Sequence, residues 1–222
     1  MKLALFDLDH TLLPIDSDYA WGVFTNTIGW TDPVEFSRRN DEFFAHYQAG
    51  TLDIHDYVRF ATQALRRQGA VKSATAHTHF MQSVVQPAIK PQATALVRQH
   101  QRAGDEVIIV TATNDFVTRP IAQAFDVREL IAVELEHDTS PGGTGWITGE
   151  IKGIPSFREG KVTRVQQWLA SRNLLWADIE STFYTDSIND LSLMENVTHP
   201  PSGHQSGPAS ACDCDPARMA HT

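Results

Sequence analysis

The sequence predicts an α/β fold: a doubly wound parallel sheet with a small helical unit inserted after its first strand. Three observations predict it. A short apolar run at the start of the chain ends in two aspartates, Asp7 and Asp9. The stretch from about Asp16 to Val85 is helical in periodicity throughout. Beyond it, strand-like and helix-like segments alternate, which is the rhythm of a parallel sheet covered by helices.

In chain order, Leu3 to Leu8 reads as a strand buried on both faces, delivering Asp7 and Asp9 at its carboxyl end. Within the insertion, aromatic and aliphatic residues recur at helical spacing (Phe43, Phe44 and Tyr47; Tyr57, Phe60, Ala61 and Leu65). Pro87 and Pro91 bracket the return to the core. Thr94 to Ala103 reads as a helix stopped by Gly104, before a strand from Glu106 to Thr111. A helix from Val117 to Phe125 and a strand from Leu130 to Leu135 follow. Next comes a hairpin at Pro141-Gly142-Gly143-Thr144-Gly145, with Val133 to Leu135 and Trp146 to Gly149 as its arms. Val162 to Arg172 is an amphipathic helix. Ser181 to Tyr184 is the last clear strand, leading through Thr185 and Asp186 into a helix near Asn189. These boundaries divide the chain into a core of residues 1–15 and 87–200 and a helical insertion of residues 16–86.

With 222 residues, 41% hydrophobic and 20% charged, the chain has room for one core and a smaller attached unit. A formal net charge of -9 argues against nucleic acid or an acidic membrane surface as partner, since both need basic patches. No apolar run is long enough to span a bilayer, and an acid at Asp7 comes too early for a signal peptide, so the cytoplasm is the expected compartment. Both cysteines, Cys212 and Cys214, lie in the last stretch, which leaves the body without a thiol for a disulfide or a nucleophile.

Four separated pieces carry reactive side chains: Asp7-Leu8-Asp9-His10-Thr11, Thr111-Ala112-Thr113, Lys161, and Asp186-Ser187-Ile188-Asn189-Asp190. Three of them follow strands at the same sheet edge, where open α/β sheets place their ligands. Taken singly, each has a plainer reading. An Asp-x-Asp pair is a solvated turn, Asp186 a helix cap, Asp190 a first-turn acid and Lys161 a surface lysine. Their order and spacing together make them one site.

Asp7-Leu8-Asp9-x-Thr11-Leu12 resembles the first motif of the haloacid dehalogenase (HAD) superfamily, and Asp186 to Asp190 resembles its acidic fourth motif, over roughly residues 1–200. The helical insertion resembles the small cap of the subfamily that contains phosphoserine phosphatase. Asp16-Ser17-Asp18 followed by Trp21, and Gly50-x-Leu52-Asp53-x-x-x-Tyr57, resemble a bacterial branch assigned to histidinol phosphate or phosphoserine hydrolysis. The resemblance implies a Rossmann-like core, a Mg2+ cofactor, and hydrolysis of a small phosphomonoester through an aspartyl phosphate.

It also implies a role for each residue. Asp7 is the nucleophile, and Asp9 protonates the leaving alkoxide and then deprotonates water. The Asp7 and Asp186 carboxylates with the Asp9 carbonyl form an oxygen set suited to magnesium, supported from behind by Asp190. Thr111 and the Ala112 N–H hold phosphate oxygens. Lys161 offsets the crowded negative charge, with Arg158 as a minor rival. Where phosphoserine phosphatases carry Ser-Gly-Gly, this chain has Thr111-Ala112-Thr113-Asn114. Asn114 therefore joins Asp16 and Asp18 as candidate specificity residues. The two acids suit a cationic substrate group, or equally cap the helix that follows. His77 and His79 read as exposed polar residues. Arg59 and Arg66 are the visible candidates for holding a substrate carboxylate, and both lie on helix surfaces. The charge balance thus favours histidinol phosphate over phosphoserine.

Competing readings are a phosphotransferase, a phosphonate or haloacid hydrolase, and a non-catalytic binding protein on the same fold. Asp9 is dispensable for dehalogenation, and a binding protein would be free to lose Asp7, Lys161 or Asp186. After Pro200 the composition loses all periodicity, as in a flexible tail. Codons compatible with Pro201 onward, read one base later, give Pro-Val-Ala-Thr-Asn-Pro, which resembles the turn before the family's final helix. The expectation is a frameshift near the proline codons, which would strip Cys212 and Cys214 of meaning. Sequencing the gene and the intact protein tests it.

Overall fold

The computed structural model describes residues 1–199; the tail and its proposed frameshift lie outside them. Four strands form a parallel sheet in the order β3-β2-β1-β6: β1 (Lys2–Phe6), β2 (Glu106–Asn114), β3 (Glu129–Val133) and β6 (Glu180–Tyr184). Side chains alternate between two separate apolar layers. Ala4, Phe6, Val107 and Ile109 face one, packed against Val97, Val117 and Ile121. Leu3, Leu5, Ile108, Val110 and Phe183 face the other, packed against Val165, Leu169 and Leu193. Burial on both faces is why these strands are apolar without polar alternation.

Phe6 pairs in register with Ile109 of β2 and Tyr184 of β6, and the Asp7 N–H donates to the Tyr184 carbonyl (2.9 Å). The ends of three strands therefore meet at one edge. Beyond β6 the chain returns beside it, and the His199 N–H donates to the Ser181 carbonyl (2.9 Å).

Between β1 and β2 run α1 (Ser17–Thr27), α2 (Pro33–Gln48), α3 (Ile54–Ala61) and α4 (Gln63–Phe80). Asp16, Asp32 and Asp53 accept N–H bonds at the starts of α1, α2 and α3. Gly69 breaks α4 with φ 76°. The helical path then passes a π-turn at Met81–Val85 and α5 (Gln86–Ala88) before α6 (Pro91–Ala103). Helix thus continues through Pro87 and breaks at Ile89 and Lys90, which are extended, so the break falls between Pro87 and Pro91.

The insertion has an aromatic centre: Trp21 packs on Phe24, His77 and Phe80, with ring centroids 5.2–5.6 Å apart. His77 is consequently buried, contrary to the exposed placement expected for it. It shares the α4 face of Ser73 and Phe80, and its Nε2 lies 3.1 Å from the Val117 carbonyl. His79, on the other face, is exposed.

The predicted strand at Leu130 to Leu135 divides into β3 and β4 (Leu135–His137), and β4 pairs antiparallel with β5 (Ile147–Ile151). This hairpin supports the insertion. Arg59 grips Glu150 through two bonds (2.8 and 2.9 Å), and the Trp146 indole N–H donates to the Leu65 carbonyl (3.0 Å). The remaining elements are α7 (Asp115–Ala124), α8 (Glu159–Ala170) and α9 (Leu191–Met194). Among the described residues no helix is long and apolar enough to cross a membrane.

Candidate active site

Asp7 is the first residue past β1 and is only 6% exposed. The Lys161 ammonium donates to Asp7 Oδ1 (2.8 Å) and also contacts both Asp190 oxygens (2.6 and 2.8 Å). Thr185 Oγ1 completes the set by donating to Asp190 Oδ2 (2.7 Å). Burial pushes the Asp7 carboxyl up to about 6; Lys161 pulls it down, and Asp190 and Asp186 push it up again. Burial alone would lower Lys161, but its two carboxylate partners outweigh burial and hold it above the ordinary lysine range.

Lys161 reaches this position because of the turn before it. Arg158 adopts a left-handed φ of 51°, and Gly160 packs so tightly that a Cβ there would lie 2.0 Å from the Pro155 carbonyl oxygen. Arg158 itself turns away and donates to the Gly50 carbonyl (3.0 Å). Lys161 and not Arg158 therefore faces Asp7.

Asp9 looks to the other side. Its Oδ1 accepts from the Ser17 N–H (2.8 Å) and its Oδ2 from Thr113 Oγ1 (2.8 Å). Burial first, then Asp16 and Asp7, raise its pKa well above the carboxylate range, which favours the protonated acid. Asp186 is exposed and accepts from Thr11 Oγ1 (3.1 Å). Thr111 is buried, and its Oγ1 accepts from the Thr113 N–H (3.1 Å), so its own proton is left to donate; Ala112 follows it half-buried.

Of the candidate specificity residues, Asp16 is exposed and occupied as the α1 cap, accepting from the Asp18 and Tyr19 N–H groups (3.0 and 2.9 Å). Asp18 and Asn114 are buried together. Asn114 accepts the Val117 N–H (3.2 Å) as the α7 cap, and its amide donates to Asp18 Oδ1 (3.3 Å). Burial, then Asp16, drive Asp18 up to about 7. Because the folded-state pKa lies above the usual 3.8, the ionised acid destabilises the fold, and this penalty grows as pH rises from about 4 to about 7. Asp18→Asn is therefore expected to gain on the order of 3 kcal/mol over the parent at pH 8 and almost nothing at pH 4. Thermal unfolding of both proteins at the two pH values checks it, and an equal difference at both would contradict it.

Two contributors stood in the sequence motifs without a role of their own. Thr113 anchors Asp9; it sits two residues past Thr111, and strand alternation was the available signal. Tyr57 stands beside Asp18, whose negative charge adds to burial in raising the phenol. A further contact joins insertion to core, with Tyr47 Oη 3.4 Å from Ser187 Oγ.

The donors here are all oxygens. Asp190 is occupied by Lys161 and Thr185, which leaves Asp7, Asp186 and local carbonyls for a cation. Among the described residues no cage of three or more His, Cys, Asp or Glu side chains is formed. Two carboxylates completed by carbonyl and water is a set that fits a small hard divalent ion, and the excess negative charge around Lys161 fits one as well.

Residues 4–195 match the model of the haloacid dehalogenase-like hydrolase family. The chain belongs to that family, and it is a phosphatase. It is similar to a histidinol-phosphatase of Neisseria meningitidis serogroup C, 39% identical over 200 residues, covering 90% of this chain and 88% of that one. A solved Bordetella pertussis Tohama I protein of unknown function is 49% identical with a TM-score of 0.82, covering 90% of this chain and 88% of the other. A substrate-bound phosphoserine phosphatase shares the fold at 15% identity and a TM-score of 0.60, covering 90% of this chain and 84% of its own.

Proposed function

We propose that this phosphatase hydrolyses histidinol phosphate, in preference to phosphoserine, in a magnesium-dependent reaction that passes through phosphorylated Asp7. The observation that carries the mechanism is the buried Asp7–Lys161–Asp190 contact, with Asp9 held separately by Ser17 and Thr113. Residues 1–15 and 87–200 act as the catalytic core, residues 16–86 act as the cap, and the cytoplasm is the working compartment.

Lys161 occupies one Asp7 oxygen, which leaves the other to attack phosphorus. The Asp7–phosphorus bond forms as the bond to the leaving oxygen breaks, and the Asp9 proton passes to that oxygen. Asp9, now ionised, takes a proton from water as the water oxygen bonds phosphorus and frees Asp7 with inorganic phosphate. Thr111 and the Ala112 N–H steady the phosphate oxygens. Asp7, Asp186 and the Asp9 carbonyl would hold magnesium, which would supply neutralisation of phosphoryl charge when bound. Chelator is expected to stop turnover and added Mg2+ to restore it, with Ca2+ a poor substitute because its coordination is longer and looser. Full activity in a chelated, metal-free sample would rule this site out.

The substrate reading rests on charge and on the Neisseria relative. Asp16 and Asp18 stand together where the insertion begins, and they attract a cation. Phosphoserine's extra carboxylate needs a cationic partner, and the expected ones are engaged: Arg59 with Glu150 and Asp56, and Arg66 with the Arg59 carbonyl. The kcat/KM for histidinol phosphate should exceed that for phosphoserine, and Asp16→Asn should shrink the ratio while keeping the helix cap, since asparagine caps as well as aspartate. A parent preference for phosphoserine, or an unchanged ratio in the variant, would sink the assignment.

A further inference from the structure

The reaction steps leave unused a polar chain behind Asp7, on the sheet face opposite α8. It begins at the end of α6. Gly104, with a left-handed φ of 80°, closes that helix: its N–H donates to the Gln101 carbonyl (3.1 Å), and the Asp105 N–H reaches back to the His100 carbonyl (3.0 Å). This turn sets the Asp105 side chain beside the His100 ring, with Oδ2 2.7 Å from Nδ1. A carboxylate only accepts, so Nδ1 carries the proton. In the neutral ring Nε2 accepts in turn from the Tyr184 hydroxyl, 3.0 Å away. The His100 and Asp105 side chains are 14% and 12% exposed, so water competes little for these bonds.

Tyr184 is where this chain meets the site. Its ring lies flat on that of Phe6, the residue before Asp7 (centroids 4.7 Å, 8° between planes), and the His100 ring stands steeply to both, at 5.7 Å from Phe6 and 5.6 Å from Tyr184. The Tyr184 carbonyl accepts the Asp7 N–H (2.9 Å). Thr185, which donates to Asp190, and Asp186 follow Tyr184 directly. One residue therefore joins the strand ends that deliver the nucleophile and Asp186. Apolar side chains would fill the same space, and replacing both members of a hydrogen bond by apolar groups of like shape costs a fold little. What the polar chain adds is one fixed orientation of the Tyr184 ring.

We infer that His100 is a positioning residue for the phosphoryl-transfer site: fixed by Asp105 and bonded to Tyr184, it holds the ends of β1 and β6 in the arrangement that aims Asp7 and Asp186. A displacement of reacting groups by about 1 Å costs on the order of 100-fold in rate, and the partners standing behind metal-holding side chains contribute about 10–100-fold. The effect on rate rests on the roles of Asp7 and Asp186 proposed above; the ordering of the strand ends does not.

Tyr184→Phe removes one oxygen and keeps the stacked ring, and His100→Ala removes its partner. With p-nitrophenyl phosphate and saturating Mg2+, each should lower kcat about tenfold or more while KM changes by less than about threefold, because Thr111 and Ala112, proposed to hold the phosphate, lie on β2. The double variant should fall no further than the slower single one, as expected of two members of one chain. His100→Gln, whose amide oxygen accepts from Tyr184, should recover part of the loss. Without any turnover, hydrogen exchange at the Asp7 amide should quicken about fivefold or more in Tyr184→Phe while β3 amides keep the parental rate. Tyr184→Phe, which keeps every packed atom but one, carries the test by itself should His100→Ala not fold. A kcat within about twofold of the parent in Tyr184→Phe, losses that multiply in the double variant, or parental exchange at Asp7 would overturn the inference. A parent without Mg2+-dependent turnover counts against the proposed function alone, and exchange at Asp7 still decides the positioning.

Discussion

Replacing Asp7 with asparagine is expected to lower phosphomonoester turnover by about four orders of magnitude or more while leaving the fold in place. The amide keeps the shape of the side chain but cannot attack phosphorus. Stability should change little, because two effects oppose one another. Lys161 loses one carboxylate but keeps Asp190, and the variant no longer buries an acid that desolvation pushes up to about 6. A change in Tm of about 4 °C or less is the expected result, equivalent to roughly 1 kcal/mol in a chain of this size. Turnover within tenfold of the parent would remove Asp7 from the nucleophile's role.

Lys161→Met should destabilise as well as inactivate. Lys161 is 3% exposed and its ammonium is shared between Asp7 and Asp190, so its removal leaves two buried carboxylates facing one another. Breaking a buried pair from one side costs about 3–5 kcal/mol, or roughly 10 °C in Tm. Without the lysine, burial and repulsion from Asp190 raise the folded-state pKa of Asp7 further. The loss should therefore be largest at pH 8, where Asp7 must ionise, and shrink towards pH 5, where its protonation relieves the repulsion. Thermal unfolding across that range measures it. A parental Tm at pH 8 would mean that Lys161 is not the partner it is by geometry.

Much of this architecture was legible in the sequence because its signals are local. The apolar strand ending at Asp7, the strand entering Thr185-Asp186 and the glycine stop at Gly104 each follow from composition over a few residues. Other features depend on partners far along the chain. Asp190 reads alone as a first-turn acid, yet it meets an ammonium 29 residues away. His77 looked like surface because the Trp21 ring that covers it lies in another helix. Asn114 carried the expectation of a pocket amide, but both its ends are committed, to the α7 cap and to Asp18. The strand predicted at Leu130 to Leu135 overlaps the hairpin arm predicted at Val133 to Leu135, and the structure separates the two, leaving Leu135 to the hairpin.

The most direct test of the account is to trap the phosphorylated enzyme. The parent is mixed with Mg2+ and a phosphomonoester, quenched in acid during turnover, and reduced with borohydride, which converts an aspartyl phosphate into homoserine; the peptide masses are then read. Homoserine at position 7, in parent but not in the Asp7→Asn protein, is the predicted result. Steady turnover with every aspartate intact, or with the reduced residue elsewhere in the chain, would contradict it.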